Sequence, residues 1–262
     1  MKKILIVEGN LREENESFSK GGIKTHTESL KDSISYFTNE LEIDVVNPSS
    51  DKNISEMVKD LKKYDGLIWG GSSLNIYNDT IEIRRQLDFM KECQNKIKNI
   101  LAICWGMQVA VTVAGGEVKK CLNGTHRGIA HNIEINENGL KHPIYKNKNK
   151  KFNTPAFNFD EVTTIPNNST LLASNKINKV MGLNFKAGVS EIWGIQYHPE
   201  ITYNKMVSLI HFRKDRLLEK KAFKDEKEIN DHVKMIEDEN KITDKNLRMR
   251  ELENWLTYIN VN

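Results

Sequence analysis

Three stretches of the chain carry side chains whose types and spacing could do chemistry. In the first, the apolar run Ile100-Leu101-Ala102-Ile103 ends at Cys104, and Trp105-Gly106-Met107-Gln108 leads into Val109, Val111 and Val113. A strand that turns sharply into an apolar helix is the outline of a nucleophile elbow, which holds one side chain at the carboxyl edge of a sheet. The helix dipole behind Cys104 favours a thiolate, and Ala102 and Gly106 leave room beside the sulfur. The alternative is a cysteine that is simply a buried apolar residue. In the second stretch, Gly194-Ile195-Gln196-Tyr197-His198-Pro199-Glu200, residues two apart on extended chain point to the same side. His198 and Glu200 are thus placed as an imidazole and the carboxylate that orients it, which is what a cysteine nucleophile needs. Pro199 stiffens the step between them. Taken alone, His-x-Glu is also an ordinary surface pair. The third, Gly70-Gly71-Ser72-Ser73, follows an apolar strand and offers free backbone N–H groups suited to an oxyanion, or is a plain turn.

Positioning these residues requires a sheet, and the sequence supplies one. Lys3–Val7, Ile43–Val46, Gly66–Gly71 and Ile97–Ile103 are apolar runs ending at glycine, proline or the elbow, as buried parallel strands do. Between them, Ile23, Leu30, Ile34, Phe37 and Leu41 recur at the spacing of one helix face, and residues 55–64 and 80–90 also read as helical. Such alternation predicts βαβ units with a parallel sheet covered on both faces. From Gly115 to Glu200 the texture changes to short β-rich segments: 132–135, 161–165, 180–185 and 191–197. Asn138-Gly139 and Lys186-Ala187-Gly188 give turn signals, so this half is expected to add antiparallel strands to the same sheet. Lys146–Lys151 reads as a solvated polar loop. Beyond residue 200, 25 of 62 residues are charged, yet Met206, Leu209, Ile210, Leu247, Leu252, Trp255, Leu256 and Ile259 keep helical spacing. That predicts a helical extension over 205–262, docked on the 1–204 domain or on a partner protein.

Composition narrows the function classes. At 262 residues, 38% hydrophobic and 29% charged, the chain suits one large α/β domain with an appendage. A net charge of +3, with acids and bases interspersed, gives no basic stripe for nucleic acid. No apolar window is long enough to cross a membrane, and the start lacks the core of an export signal, so a cytoplasmic protein is expected. Cys93, Cys104 and Cys121 are an odd number without a Cys-x-x-Cys pair, which fits a reducing compartment and free thiols. His126 and His131 have no third ligand nearby, so no metal site is expected.

Gly-Gly after a strand, then Ala-x-Cys-x-Gly-x-Gln, then His-Pro-Glu 94 residues after the cysteine, together resemble the class I (triad-type) glutamine amidotransferases. The likeness covers about residues 1–205. It is nearest to stand-alone proteins similar to the amidotransferase domain of GMP synthase, whose Ser-His-x-Asp-x-Val segment is matched by Ala156-Phe157-Asn158-Phe159-Asp160-Glu161-Val162. Ala102 replaces the family's first elbow glycine, Ser72 its proline, and Asn158 stands where the branch often has histidine. The resemblance implies a flavodoxin-like, mostly parallel sheet with flanking helices, additional antiparallel strands and a helical C-terminal extension. It implies Cys104, His198 and Glu200 as catalytic residues and the backbone N–H groups of Gly71 and Trp105 as the oxyanion hole. Substrate contacts would fall at Gln108, Asn158 and Phe159. The implied reaction hydrolyses glutamine or a γ-glutamyl amide through a thioester, without cofactor or metal. Such a protein acts alone on a γ-glutamyl amide, or as a glutaminase subunit feeding ammonia to a separate synthetase; a homo-oligomer is compatible with either. The chain has no nucleotide-binding loop of its own. A non-catalytic regulatory or binding protein on the same scaffold is the third reading.

Overall fold

The computed structural model describes residues 1–260. Its centre is a nine-stranded sheet. Strands β1 (Lys2–Val7), β2 (Leu41–Val46), β3 (Gly66–Trp69) and β4 (Asn99–Ile103) lie in the order β2-β1-β3-β4. The strand Ser190–Ile195 then joins β4, also in parallel, with Ile195 opposite Ile103. This is the doubly wound order in which ligands meet the carboxyl ends of the strands near the reversal beside β1. Gly182–Ala187, Thr170–Ser174, Ala130–Ile135 and Lys151–Thr154 continue the sheet antiparallel, as the β-rich half of the sequence implied.

Alternation along β1 builds two cores. Leu5 and Val7 face the helices Ile81–Lys96 and Trp105–Val113, through Phe89, Met90 and Val109. Ile4 and Ile6 face the other way, onto Leu30 and Ile34 of the helix His26–Phe37 and onto Leu252, Trp255 and Leu256 of Arg250–Tyr258. The C-terminal apolar residues therefore dock on this chain's own sheet. Gly66 admits Trp255, since a Cβ there would lie 2.7 Å from the indole. A separate cluster joins Ile129 to Tyr203, Ile210, Leu217, Phe223, Ile229 and Ile236 and holds the helices Tyr203–Phe212, Lys214–Glu219 and Glu226–Ile242 together.

Several local expectations are corrected. The first long helix begins after Thr25, where a capping box with Glu28 sets its start, and stops at the extended Thr38; Ile23 precedes it and Leu41 opens β2. The helix Arg12–Lys20 leaves no periodic signal in the sequence, because Phe18 is its one buried residue. Asn138-Gly139 is no hairpin turn but part of the short helix Glu137–Lys141, which Asn136 caps by accepting from the Gly139 N–H. Lys148, in the segment expected to be solvated, is buried, with Nζ 3.0 Å from Glu251 Oε2.

Candidate functional site

All three chemical stretches end at one edge of the sheet. β4 delivers Cys104, whose N–H bonds the carbonyl of Ile195 at 2.7 Å and fixes it beside the neighbouring strand's end. Cys104 has φ +53°, an uncommon conformation for a side-chain-bearing residue and the strained corner an elbow requires. Gly106 permits it by packing against the Trp69 backbone, and its N–H bonds the carbonyl of Gly70 at 3.2 Å. The elbow is thereby tied to the glycine loop on one side and the Ser190–Ile195 strand on the other.

His198 follows that strand, anchored by its N–H to the Pro155 carbonyl at 2.8 Å. Its Nδ1 lies 2.8 Å from Glu200 Oε1, and both side chains are buried. Burial pulls the imidazole pKa down, but the charges and hydrogen bonds of Glu200 and Cys104 outweigh burial and raise it to about 10. Gly71 closes over this pair: a Cβ there would sit 2.7 Å from His198 Cε1. Among the described residues no backbone carbonyl meets the N–H of Gly71 or of Trp105. Gln196, just before His198, points its Nε2 at Cys104 Sγ, 3.4 Å away. The other two thiols differ in setting: burial drives Cys93 well above the ordinary thiol range and Cys121 up to about 11.

Gln108, Asn158 and Phe159 line the cleft that opens on Cys104. Gln108 Nε2 reaches the Asp160 carbonyl and Gln196 Oε1, and Asn158 Nδ2 donates to the Asp160 carbonyl and to Asn178. Asn158 Oδ1 meets His126 Nδ1 at 2.8 Å, while His126 Nε2 meets Asn175, so both ring nitrogens of His126 are engaged. His131 sits on Met235.

Sequence reasoning missed three contributors. The ring of His26, the first residue of its helix, stacks on His198 with centroids 5.3 Å apart, and its Nδ1 is 4.0 Å from Glu200 Oε1. Burial, then the cations Lys205, His198 and Arg213, hold it well below the usual histidine range, so it is neutral beside a protonated neighbour. His26, His198 and Glu200 also bring ligating atoms within 4.8 Å, a spacing a cation could occupy. Arg248 donates to the carbonyls of Pro199 and Ile201, bracketing Glu200, whose own carbonyl accepts from Ser33 Oγ. Glu251 accepts from the Tyr197 hydroxyl at 2.6 Å, on the other flank of His198. A lone histidine at a helix start and two charges in a charged tail carry no local pattern. Only the fold brings them to the site.

A model of the glutamine amidotransferase class-I family matches residues 24–214, and the chain belongs to that family. Among named proteins it is 29% identical to a γ-glutamyl-L-1-hydroxyisopropylamide hydrolase from a Pseudomonas species, over 76% of this chain and 68% of that protein. It is 30% identical to γ-glutamyl peptidase 4 of Arabidopsis thaliana, over 61% of each chain. It is 28% identical to the glutamine-hydrolysing GMP synthase subunit of Sulfurisphaera tokodaii, over 56% of this chain and 73% of that one. A Thermotoga maritima glutamine amidotransferase of known structure superposes with a TM-score of 0.65 at 17% identity, covering 97% of this chain and 98% of that one, and so shares the fold. Among the described residues no helix is long and apolar enough to cross a membrane.

Proposed function

We propose that this protein is an amidohydrolase that cleaves γ-glutamyl amides with Cys104, His198 and Glu200. The observation that carries the reading is the meeting, at one sheet edge, of a strained cysteine and a buried His198–Glu200 pair whose second ring nitrogen is left for the thiol. In the reaction, His198 starts with the proton already on Nε2, and Cys104 Sγ adds as the thiolate to the γ-carbonyl carbon. The resulting oxyanion is held by the Gly71 and Trp105 N–H groups. Collapse breaks the C–N bond, the departing nitrogen takes the proton from His198, and a γ-glutamyl thioester remains. Water then gives its proton to His198 and its hydroxyl to the acyl carbon; the thiolate leaves beside the restored imidazolium, and glutamate is released. Glu200 stabilises the imidazolium that is present at the start and formed again in the second half. Gln108, Asn158 and Phe159 form the wall against which the glutamyl group rests.

Similarity to the Pseudomonas hydrolase and the Arabidopsis peptidase supports hydrolysis of a γ-glutamyl amide as the reaction itself. Similarity to the Sulfurisphaera GMP synthase chain supports a second reading, a glutaminase for a separate synthetase. Purified protein should be assayed for glutamate release from glutamine and from a panel of γ-glutamyl amides. Turnover of larger amides well above glutamine supports the stand-alone hydrolase. Turnover of glutamine alone, raised by a co-purifying synthetase, supports the glutaminase. No glutamate from any of them contradicts both.

A further inference from the structure

The cleft at Cys104 has a wall the elbow does not supply. Its lining also takes in Arg213, Arg216 and Lys220, from just after the helix Tyr203–Phe212 and from the helix Lys214–Glu219 behind it. Asp160 is the one acid in the lining, and it is spent: Oδ2 accepts from Asn75 at 2.6 Å and Oδ1 from the Tyr77 hydroxyl at 2.9 Å.

The three cations are not equivalent. Arg213 is a fixed wall. Its Nη2 donates to Glu14 and Ser73, and its guanidinium lies over the rings of Phe18 and Phe157. Its Nε is buried and has no partner among the described residues, which is costly for a guanidinium N–H. Arg216 and Lys220, one helical turn apart, are exposed and pair with no carboxylate among the described residues. Arg216 stands close enough to Arg213 to disfavour its charge. Like charges gathered in one cleft lining are relieved by an anion.

The γ-glutamyl head is a poor candidate for that anion. It is a zwitterion, and its ammonium group would face three cations with no free carboxylate to receive it. Gln108 and Asn158, which both donate to the Asp160 carbonyl, are the uncharged amides of the lining and suit the head better. The cationic wall then faces the other end of the substrate.

We propose that Arg216 and Lys220, backed by Arg213, form a leaving-group subsite selecting γ-glutamyl amides whose amine carries a carboxylate, that is, γ-glutamyl amino acids and short peptides. This rests on the hydrolase reading above and narrows it. Because two of the cations are exposed, the preference weakens as salt rises.

The test uses a matched pair, γ-glutamylalanine and γ-glutamylalaninamide, which differ only in carboxylate against carboxamide. Wild-type protein should favour the acid by about tenfold in kcat/KM, chiefly through KM, since one charge-assisted contact is worth about that factor. In Arg216→Gln/Lys220→Gln the ratio should collapse toward one. A wild-type ratio near one overturns the proposal. So does an equal loss for both substrates in the double variant, which would assign the cations to the glutamyl carboxylate. A binding arm separates this from failure of the hydrolase reading: Cys104→Ala protein is titrated calorimetrically with both compounds. If neither is hydrolysed but the acid still binds about tenfold tighter through Arg216 and Lys220, the subsite stands and the hydrolase reading falls. Equal binding of the two sinks the subsite.

Discussion

The elbow around Cys104 and the helices after residue 200 both reach the same site, but by different means. The elbow is a local device: one strand, one strained residue and one glycine set the direction of the thiol, and all lie within a few residues of each other. The C-terminal helices work at long range. Arg248 and Glu251 hold the backbone and neighbours of His198 and Glu200 from about fifty residues away, while Arg213 walls the cleft. A nucleophile needs one position fixed, and short-range geometry suffices. A histidine–carboxylate pair on a loop must be gripped from outside, and here an appended helix does it. Within residues 205–260, Arg248 and Glu251 thus hold the chain on either side of His198 and Glu200.

Removing each side of that comparison should have distinct consequences. The largest effect is expected from ending the chain after Asn204. This strips Leu252, Trp255, Leu256 and Ile259 from the sheet, at roughly 1.5–3 kcal/mol for each large side chain, and should give aggregated protein by light scattering. A soluble truncation with full glutamate release would show the tail to be dispensable.

Cys104→Ala should keep the fold and lose turnover by about a thousandfold or more, whereas Cys93→Ala and Cys121→Ala stay within about threefold, because those two thiols are held protonated by burial. Next comes the imidazole pair. Glu200→Gln should reduce kcat less than His198→Ala does, since the ring remains though poorly held. The same variant has a stability signature. The His198 pKa is raised on folding, so its contribution is complete below the unfolded value of about 6.5 and is lost as pH rises through about 10. The stability gap between wild type and Glu200→Gln, measured by denaturant titration, should therefore be widest near pH 6 and close above pH 10. A gap that widens with pH would reverse the assignment.

Arg248→Ala tests the distant grip. It leaves the carbonyls of Pro199 and Ile201 unpaired, at about 1–3 kcal/mol, and should lower kcat roughly tenfold with KM little changed. Arg248→Lys, which retains a donor, should recover part of the loss. Smallest is His131→Ala, which removes only a contact to Met235 and should leave activity within about twofold.

How much of this is legible in the sequence follows the same division. β1, β3 and β4 are short apolar runs closed by glycine or by the elbow, and a buried parallel strand has few other appearances, so the sheet and its carboxyl edge are readable; β2, closed by Pro48, is an edge strand with Glu42 and Val45 exposed. The Cys104 elbow and the His198–Glu200 step are readable for the same local reason. Trp255 and its neighbours announce a docked helix by their spacing, though not that Gly66 makes room for the indole. His26, Lys148, Arg213 and Arg248 are not readable. Each is a polar residue whose burial is decided by a partner far off in sequence, and nothing beside it in the chain records that partner. Asn138-Gly139 misleads because a turn dipeptide also fits a short helix when Asn136 is there to cap it.

The most direct measurement is capture of the covalent intermediate. Wild-type protein mixed with a γ-glutamyl amide, quenched in acid and digested should carry a glutamyl adduct on the Cys104 peptide. Hydroxylamine added before the quench should remove that adduct and yield γ-glutamyl hydroxamate. Cys104→Ala protein should show neither. Glutamate release without any adduct, or an adduct on Cys93 or Cys121, would contradict Cys104 as the nucleophile that the sheet edge presents.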